Sequence, residues 1–486
     1  MNSILALAPK IVWQYFYEIT QIPRPSKKEE KIIAYLEDFA KKQQLACKKD
    51  SVGNILIIKP ATKGMENVPS VLLQSHVDMV CEKNNDTVFN FETDPIEAYV
   101  DGAWVKAKGT TLGADNGIGM AAQLAVLAST DLQHGRIECL FTVDEETGLT
   151  GAFALQSGFF SSEILLNLDS EDDGEIFIGC AGGIDSVIKF KLKTKPSRDE
   201  AIAFKVSVKG LKGGHSGDEI DKSKGNSNKI LNRFLWEAQK VFDMRLAEFN
   251  GGNLRNAIPR EAFAIVTVVK EDGKAFKQAM EDYCDIAKKQ FGSSEPNLTM
   301  TIENVPMPER VLTKKLQKRL LNSLYACPHG VLAMSHEMPG LVETSTNLAS
   351  VKFDNKYITV TTSQRSSIDS AKVDVAAMVR SVFELADAKV KHGEGYPGWA
   401  PNTNSPILEI SRSSYERLFK INPKVRAIHA GLECGLFLEK YPELDMVSIG
   451  PTIKGPHSPD ERVEIETVDR FWKHLVDILK NIPAVK

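Results

Sequence analysis

An α/β fold with a mostly parallel, helix-flanked sheet is predicted from three observations. Four short apolar runs, at 71–73, 137–143, 164–168 and 446–449, are bounded by turn formers, as strands buried on both faces are. Amphipathic stretches of helical spacing separate them. His76, Asp78, Asp115, Glu145, Glu146, Asp169 and His457 each lie where a predicted element ends, and ligands of such sheets gather beyond the carboxyl ends of the strands.

In chain order, residues 28–44 carry Ile32, Ile33, Tyr35, Leu36, Phe39 and Ala40 at helical spacing, which predicts a helix with one apolar face. The strand at 71–73 leads into Ser75-His76-Val77-Asp78. Gly113-Ala114-Asp115-Asn116-Gly117 precedes a second helix over 117–129, rich in Ala, Leu and Met. The strand at 137–143 runs into Asp144-Glu145-Glu146-Thr147-Gly148, and that at 164–168 into Asp169-Ser170. The last run, 446–449, precedes Gly455-Pro456-His457-Ser458-Pro459. Strands alternating with helices imply one α/β sheet.

The residue types clustered at these ends point to metal chemistry. Imidazole and carboxylate donors without cysteine thiolate suit zinc or a similar divalent ion in an open catalytic site. Two imidazoles and three carboxylates are too many for one catalytic zinc, but suffice for two ions about 3.5–4 Å apart if one carboxylate bridges. Asp115 is assigned as the bridge, Asp169 is placed on one ion, and Glu146 with His76 or His457 completes opposite ends. Asp78, two residues after His76, can accept that ring's second N–H and fix its tautomer. Glu145 is then free to act as a general base. Alone, adjacent acids or an Asp-Asn-Gly are usually a solvated face or a plain turn; the joint placement after strands lifts the set.

The ordered series around His76, Asp115, Glu145-Glu146, Asp169 and His457 resembles the zinc peptidases that include aminoacylase, carboxypeptidase G and the carnosine dipeptidases. The likeness runs along essentially the whole chain, through the segments 74–78, 109–119, 141–151, 213–219, 251–259 and 429–435, and is strongest toward members that split aminoacyl-histidine dipeptides. It implies a zinc-peptidase-type α/β catalytic domain with an inserted α+β lid domain. It further implies that His76, Asp115, Glu146, Asp169 and His457 hold two divalent ions, Zn²⁺ first, with Co²⁺ or Mn²⁺ suiting the same donors. Asp78 would orient His76, Glu145 would be the general acid/base, and the Asp115-Asn116 bond is cis in relatives. A second group would bind substrate: His215 in Gly213-Gly214-His215-Ser216-Gly217, reaching a neighbouring active site, and Asn256 in Asn256-Ala257-Ile258-Pro259. Arg365 would take the substrate carboxylate through its guanidinium fork. Read from residues alone, the first is a glycine turn and Arg365 an exposed strand cation. Glu433 is suggested as a partner for the free amine of a dipeptide.

Four ligands precede residue 170 and the fifth lies near the end, so one catalytic domain is assembled from 1–187 and 396–486 around an insert at 188–395. The insert reads as α+β, with strands at 203–208, 262–269 and 357–362 and helices at 228–246, 274–290 and 314–326. The resemblance implies that it acts as a lid and forms a homodimer.

Composition agrees with a cytoplasmic enzyme. The 486 residues, 42% hydrophobic, supply real cores for two to three domains. With 60 basic and 64 acidic residues the net charge is −4, which gives no electrostatic case for nucleic acid or an anionic membrane. No run approaches the roughly 20 apolar residues that span a bilayer, and no basic region precedes the short apolar start, so no signal peptide is read. Seven scattered cysteines are expected to be reduced thiols.

The predicted function is hydrolysis of dipeptides with a free amine, Xaa-His among them, by a metal-bridging hydroxide with Glu145 relaying the proton. An N-acyl amino acid amidase on the same fold is the enzymatic alternative. A non-catalytic peptide-binding protein is the alternative from another class.

Overall fold

Four parallel strands occupy the middle of an eight-stranded mixed sheet. In spatial order its strands are Ala46–Lys49, Ile55–Lys59, Ile137–Thr142, Val71–His76, Ile164–Asn167, Asp445–Ser448, Glu175–Cys180 and Lys424–Ile428. Val71–His76 pairs in parallel with Ile137–Thr142 and with Ile164–Asn167, and Asp445–Ser448 extends the parallel run. Ile55–Lys59 and Glu175–Cys180 close it on either side in antiparallel register. Every residue of Val71–His76 and Ile137–Thr142 is buried, so their near-continuous apolar character follows from covering on both faces. The helix Glu30–Lys42 occupies the amphipathic stretch 28–44, whereas Ala114–Ala128, with every residue from Asn116 to Leu127 buried, is a core helix and not the amphipathic one expected.

The computed structural model describes residues 3–217 and 219–484. It divides into two units: Met1–Gly179 with Pro401–Ala427 and Leu432–Lys486, and Cys180–Ala400 with Ile428–Gly431. The first unit also holds a small antiparallel sheet ordered Ile453–Lys454, Arg462–Glu464, Trp104–Ala107, Ala98–Asp101. Among the described residues, no helix is long and apolar enough to cross a membrane.

The second unit is built on a nine-stranded sheet whose assigned pairings are antiparallel. Between Arg245–Gly251 and Val342–Phe353 the printed register is the single pair Gly251–Val351. Helices Ser227–Val241, Gly273–Phe291, Lys314–Ala326 and Asp369–Glu384 send Phe234, Phe276, Leu320 and Phe383 into one core with Val206, Phe249, Val266 and Val360. This is the expected α+β mixture. One helix is shorter than periodicity predicts: 228–246 ends as helix at Val241, and Arg245–Gly251 is a strand. There Leu246 and Phe249 enter the core, and pairing with Ala262–Val269 satisfies the backbone, which outweighs local helical preference.

Candidate metal centre

Parallel strands aim their carboxyl ends in one direction, and three candidate ligands with the candidate base Glu145 follow from that. His76 is the last residue of its strand, Glu145 and Glu146 open the short helix Glu145–Gly148 just past Ile137–Thr142, and Asp169 stands two residues beyond Ile164–Asn167. Asp115 and His457 arrive otherwise. Asp115 lies in the first turn of Ala114–Ala128, where its φ/ψ of −80°/111° are not helical and the Asp115-Asn116 bond is cis. It therefore marks the start of an element, not the end of one. His457, at φ 60°, sits in the turn between Ile453–Lys454 and Arg462–Glu464, so a side hairpin presents it.

The two oxygens of Asp115 face opposite imidazoles. Its Oδ1 lies 3.0 Å from His76 Nε2 and its Oδ2 3.1 Å from His457 Nε2. His76 Nε2 is also 3.4 Å from Asp169 Oδ1, and His457 Nε2 3.1 Å from Glu146 Oε2. Two triads thus share Asp115: His76–Asp115–Asp169 and Asp115–Glu146–His457, each with ligand atoms within 4.8 Å of one another. Glu145 joins His76 and Glu146 in a third such set.

Asp78 is buried behind this array and ties two elements together. Its Oδ1 lies 3.2 Å from His76 Nδ1 and accepts the Glu145 N–H at 3.0 Å, while Oδ2 accepts the Glu146 N–H at 3.2 Å and the Ser26 hydroxyl at 2.8 Å. One carboxylate thereby orients a ring and anchors the turn bearing both glutamates.

Electrostatics and unsatisfied atoms fit this cluster to divalent cations. Burial opposes charge on His76, yet Asp169, Asp115 and Asp78 raise its pKa well above the ordinary value. Asp115 is held below the usual carboxylate range, against burial, by hydrogen bonds to His457 and His76. Burial pushes Asp169 up to about 6 and carries Glu145 well above 4.5, with His76 opposing both. The carboxylates draw protons onto imidazoles that ligate only when neutral, a demand that cations meet instead. Glu146 Oε1, moreover, is buried without a hydrogen-bond partner. His76, Asp115, Asp169, Glu146 and His457 therefore suit a hard divalent pair.

Glu433 lies under the same cluster. Its Oε2 accepts from Gln74 Nε2 at 2.6 Å and Thr142 Oγ1 at 2.7 Å, its Oε1 is buried without a partner, and burial pushes its pKa up to about 8.

The other sequence candidates belong to the second unit. His215 pairs with Ala257 across a two-residue ladder, and the exposed Asn256 accepts the Ser216 N–H at 2.8 Å through its main-chain carbonyl. Arg365 is 8% exposed, in contrast to the exposed cation that residue-level reading allows. Its Nη1 donates to Tyr396 Oη at 3.3 Å, and its Nε is buried without a partner. The strand Val342–Phe353 touches both groups. Asn347 Nδ2 donates to the Ala257 carbonyl at 2.8 Å, and Ser345 is the register partner of Arg365.

Sequence reading passes over Arg24 and Glu461. Arg24 is buried and donates to the carbonyls of Val77, Asp78 and Gly113. Glu461, also buried, accepts four consecutive backbone N–H groups from Leu112 to Asp115. Neither stands in a run whose periodicity signals a site.

The chain belongs to the peptidase family M20/M25/M40, whose model matches residues 72–481. It is 48% identical over 484 residues, covering 100% of both chains, to the cytosol non-specific dipeptidase of Escherichia coli K12. The crystal structure of the aminoacylhistidine dipeptidase from Vibrio alginolyticus matches with a TM-score of 0.92 at 47% identity, over 99% of each chain. An aminopeptidase from Bacillus cereus, 16% identical with a TM-score of 0.58 over 98% of this chain and 99% of its own, shares the fold.

Proposed function

We propose that this M20/M25/M40 family member is a metal-dependent dipeptidase that hydrolyses dipeptides with a free amino end, Xaa-His among them. The observation that carries the reading is Asp115, whose two oxygens serve two opposite ligand sets. His76 and Asp169 would hold one cation, Glu146 and His457 the other, and Asp115 both. Zinc is the first candidate because two imidazoles with carboxylates suit it. Divalent cations held there supply Lewis acidity and make a water acidic enough to yield a nucleophile near neutral pH.

The residues of the chain do the rest. Glu145, beside the His76 and Glu146 ligand atoms, accepts the proton of the attacking water as its oxygen bonds to the scissile carbonyl carbon. It then delivers that proton to the leaving amine as the C–N bond breaks. A carboxyl whose pKa is lifted by burial is suited to both halves of that exchange. Asp78 holds the His76 ring and the Glu145 turn in place. Arg365 takes the substrate carboxylate, His215 and Asn256 contact the peptide, and Glu433 meets its free amine. The names of the E. coli and Vibrio relatives support a dipeptide as substrate.

The second unit would serve as lid and homodimer interface. A cytoplasmic home accords with the name of the E. coli relative. The test is a panel of dipeptides, free and N-acetylated, given to metal-stripped protein with Zn²⁺, Co²⁺ or Mn²⁺ added back. Cation-dependent release of histidine from free Xaa-His is expected. Preference for the N-acetylated series would favour the amidase, and no hydrolysis with any ion the peptide-binding protein.

A further inference from the structure

We propose that Glu461 is a positioning residue, a carboxylate that caps the segment entering Asp115 and thereby aims the shared ligand at both cation sites. This inference rests on the metal-centre reading above. The geometry is specific. Glu461 Oε2 accepts the N–H groups of Leu112 at 2.7 Å and Gly113 at 2.9 Å, and Oε1 those of Ala114 at 2.7 Å and Asp115 at 3.3 Å.

Those donors include the first, unpaired N–H groups of the helix Ala114–Ala128. A helix start leaves such groups without intrahelical partners, and Gly113, at φ 70°, offers no side chain to cap them. A carboxylate there is further favoured by the positive end of the helix dipole. The cap comes from 348 residues away along the chain.

The opposite side of the segment is held as well. Arg24 grips the Gly113 carbonyl together with those of Val77 and Asp78. A Cβ at Gly113 would meet Arg24 Nη2 at 2.5 Å and Met79 Sδ at 2.9 Å, so Gly113 admits the close approach. Asp115 is therefore presented by backbone pinned on two sides. Glu461 and His457 also stand on one short turn, so the element that supplies a ligand to one triad orients the ligand shared by both.

The experiment is Co²⁺ titration of the metal-stripped full chain, followed by calorimetry and visible absorption, for wild type, Glu461→Gln and Glu138→Gln. Glu138 is a control. It too is buried and accepts backbone N–H groups, from Ser161 and Ser162, but it lies at the far end of its strand from the centre. Glu461→Gln keeps the shape and places a donor against N–H groups. Its Co²⁺ affinity should fall about 10- to 100-fold, the range for residues behind metal ligands, with an altered absorption spectrum. Glu138→Gln should lose stability but keep wild-type affinity and spectrum.

Unaltered affinity and spectrum in Glu461→Gln would overturn the proposal, as would an equal loss in Glu138→Gln. Should Glu461→Gln fail to fold, Glu461→Asp, one methylene shorter, decides in the same titration: weakened uptake supports the cap and wild-type uptake overturns it. If wild type itself takes up no Co²⁺, the metal-centre reading falls first, a result distinct from wild-type uptake with an indifferent Glu461.

Discussion

The two units organise their polar residues in opposite ways. In the first, seven side chains from distant positions converge, and the strand ends, turns and helix start that carry them are held in place by backbone hydrogen bonds and buried carboxylates. In the second, His215, Asn256 and Arg365 sit on an antiparallel framework and are braced by neighbours such as Asn347, Ser345 and Tyr396. A parallel sheet points several chain segments at one place, whereas an antiparallel sheet returns the chain alternately to both edges. His76, Glu146 and Asp169 are gathered by the former arrangement, while Asp115 and His457 join them from a helix start and an antiparallel hairpin.

The contrast predicts a ranking of effects. Asp115 belongs to both triads, so Asp115→Ala is expected to abolish uptake of both ions and all hydrolysis, read from metal content after gel filtration and from histidine release. Two ions retained per chain would remove Asp115 from its bridging role. Glu145→Ala comes next. It should keep its cations and lose hydrolysis by about 10²- to 10⁴-fold, the range for a general acid/base; normal turnover would overturn that assignment.

In the second unit, Arg365→Ala should leave ion uptake untouched and act on substrate. A hydrogen bond to a charged group is worth about 1.5–3 kcal/mol, so KM should rise about 10- to 100-fold. Amidating the dipeptide's carboxylate should weaken binding to wild type and make no further difference to the variant. A separate effect of amidation in Arg365→Ala would place the carboxylate elsewhere.

The smallest effect should be common to both units. Burial pushes His474, in the first, and His329, in the second, down to about 4. An unfolded histidine titrates near 6.5, so below that pH the unfolded chain binds protons that the folded one refuses. The stability contribution of each is complete above about 6.5 and declines as pH falls through 4. Thermal midpoints measured between pH 7.5 and 4.5 should fall, and His474→Gln or His329→Gln should each flatten the slope. An unchanged slope in both variants would show that neither ring stays neutral on folding.

Much of the catalytic sheet was legible because burial on both faces leaves apolar runs of strand length, as at 71–73, 137–143 and 164–168. The residues just past those runs marked His76, Glu145, Glu146 and Asp169. His457 stood out in the turn 455–459 that follows the run 446–449, although the two-residue strand Ile453–Lys454 that presents it carries no periodic signal. The helix predicted across 228–246 ends at Val241 because Leu246 and Phe249 belong to a strand paired with Ala262–Val269, a partner that helical spacing does not register. Arg365 shows the same limit from the other direction: a cation in a strand is ordinarily solvated, and only its neighbours keep it buried.

Local residue order was enough to establish the α/β class, the strand ends and the donor types, because periodicity and side-chain chemistry act over a few residues. Tertiary structure alone decided which imidazole faces which oxygen of Asp115. It also brought Arg24 and Glu461 to opposite sides of one backbone segment. Those contacts join positions 39 to 349 residues apart, and a hydrogen bond over such a separation exists only once the intervening chain has folded.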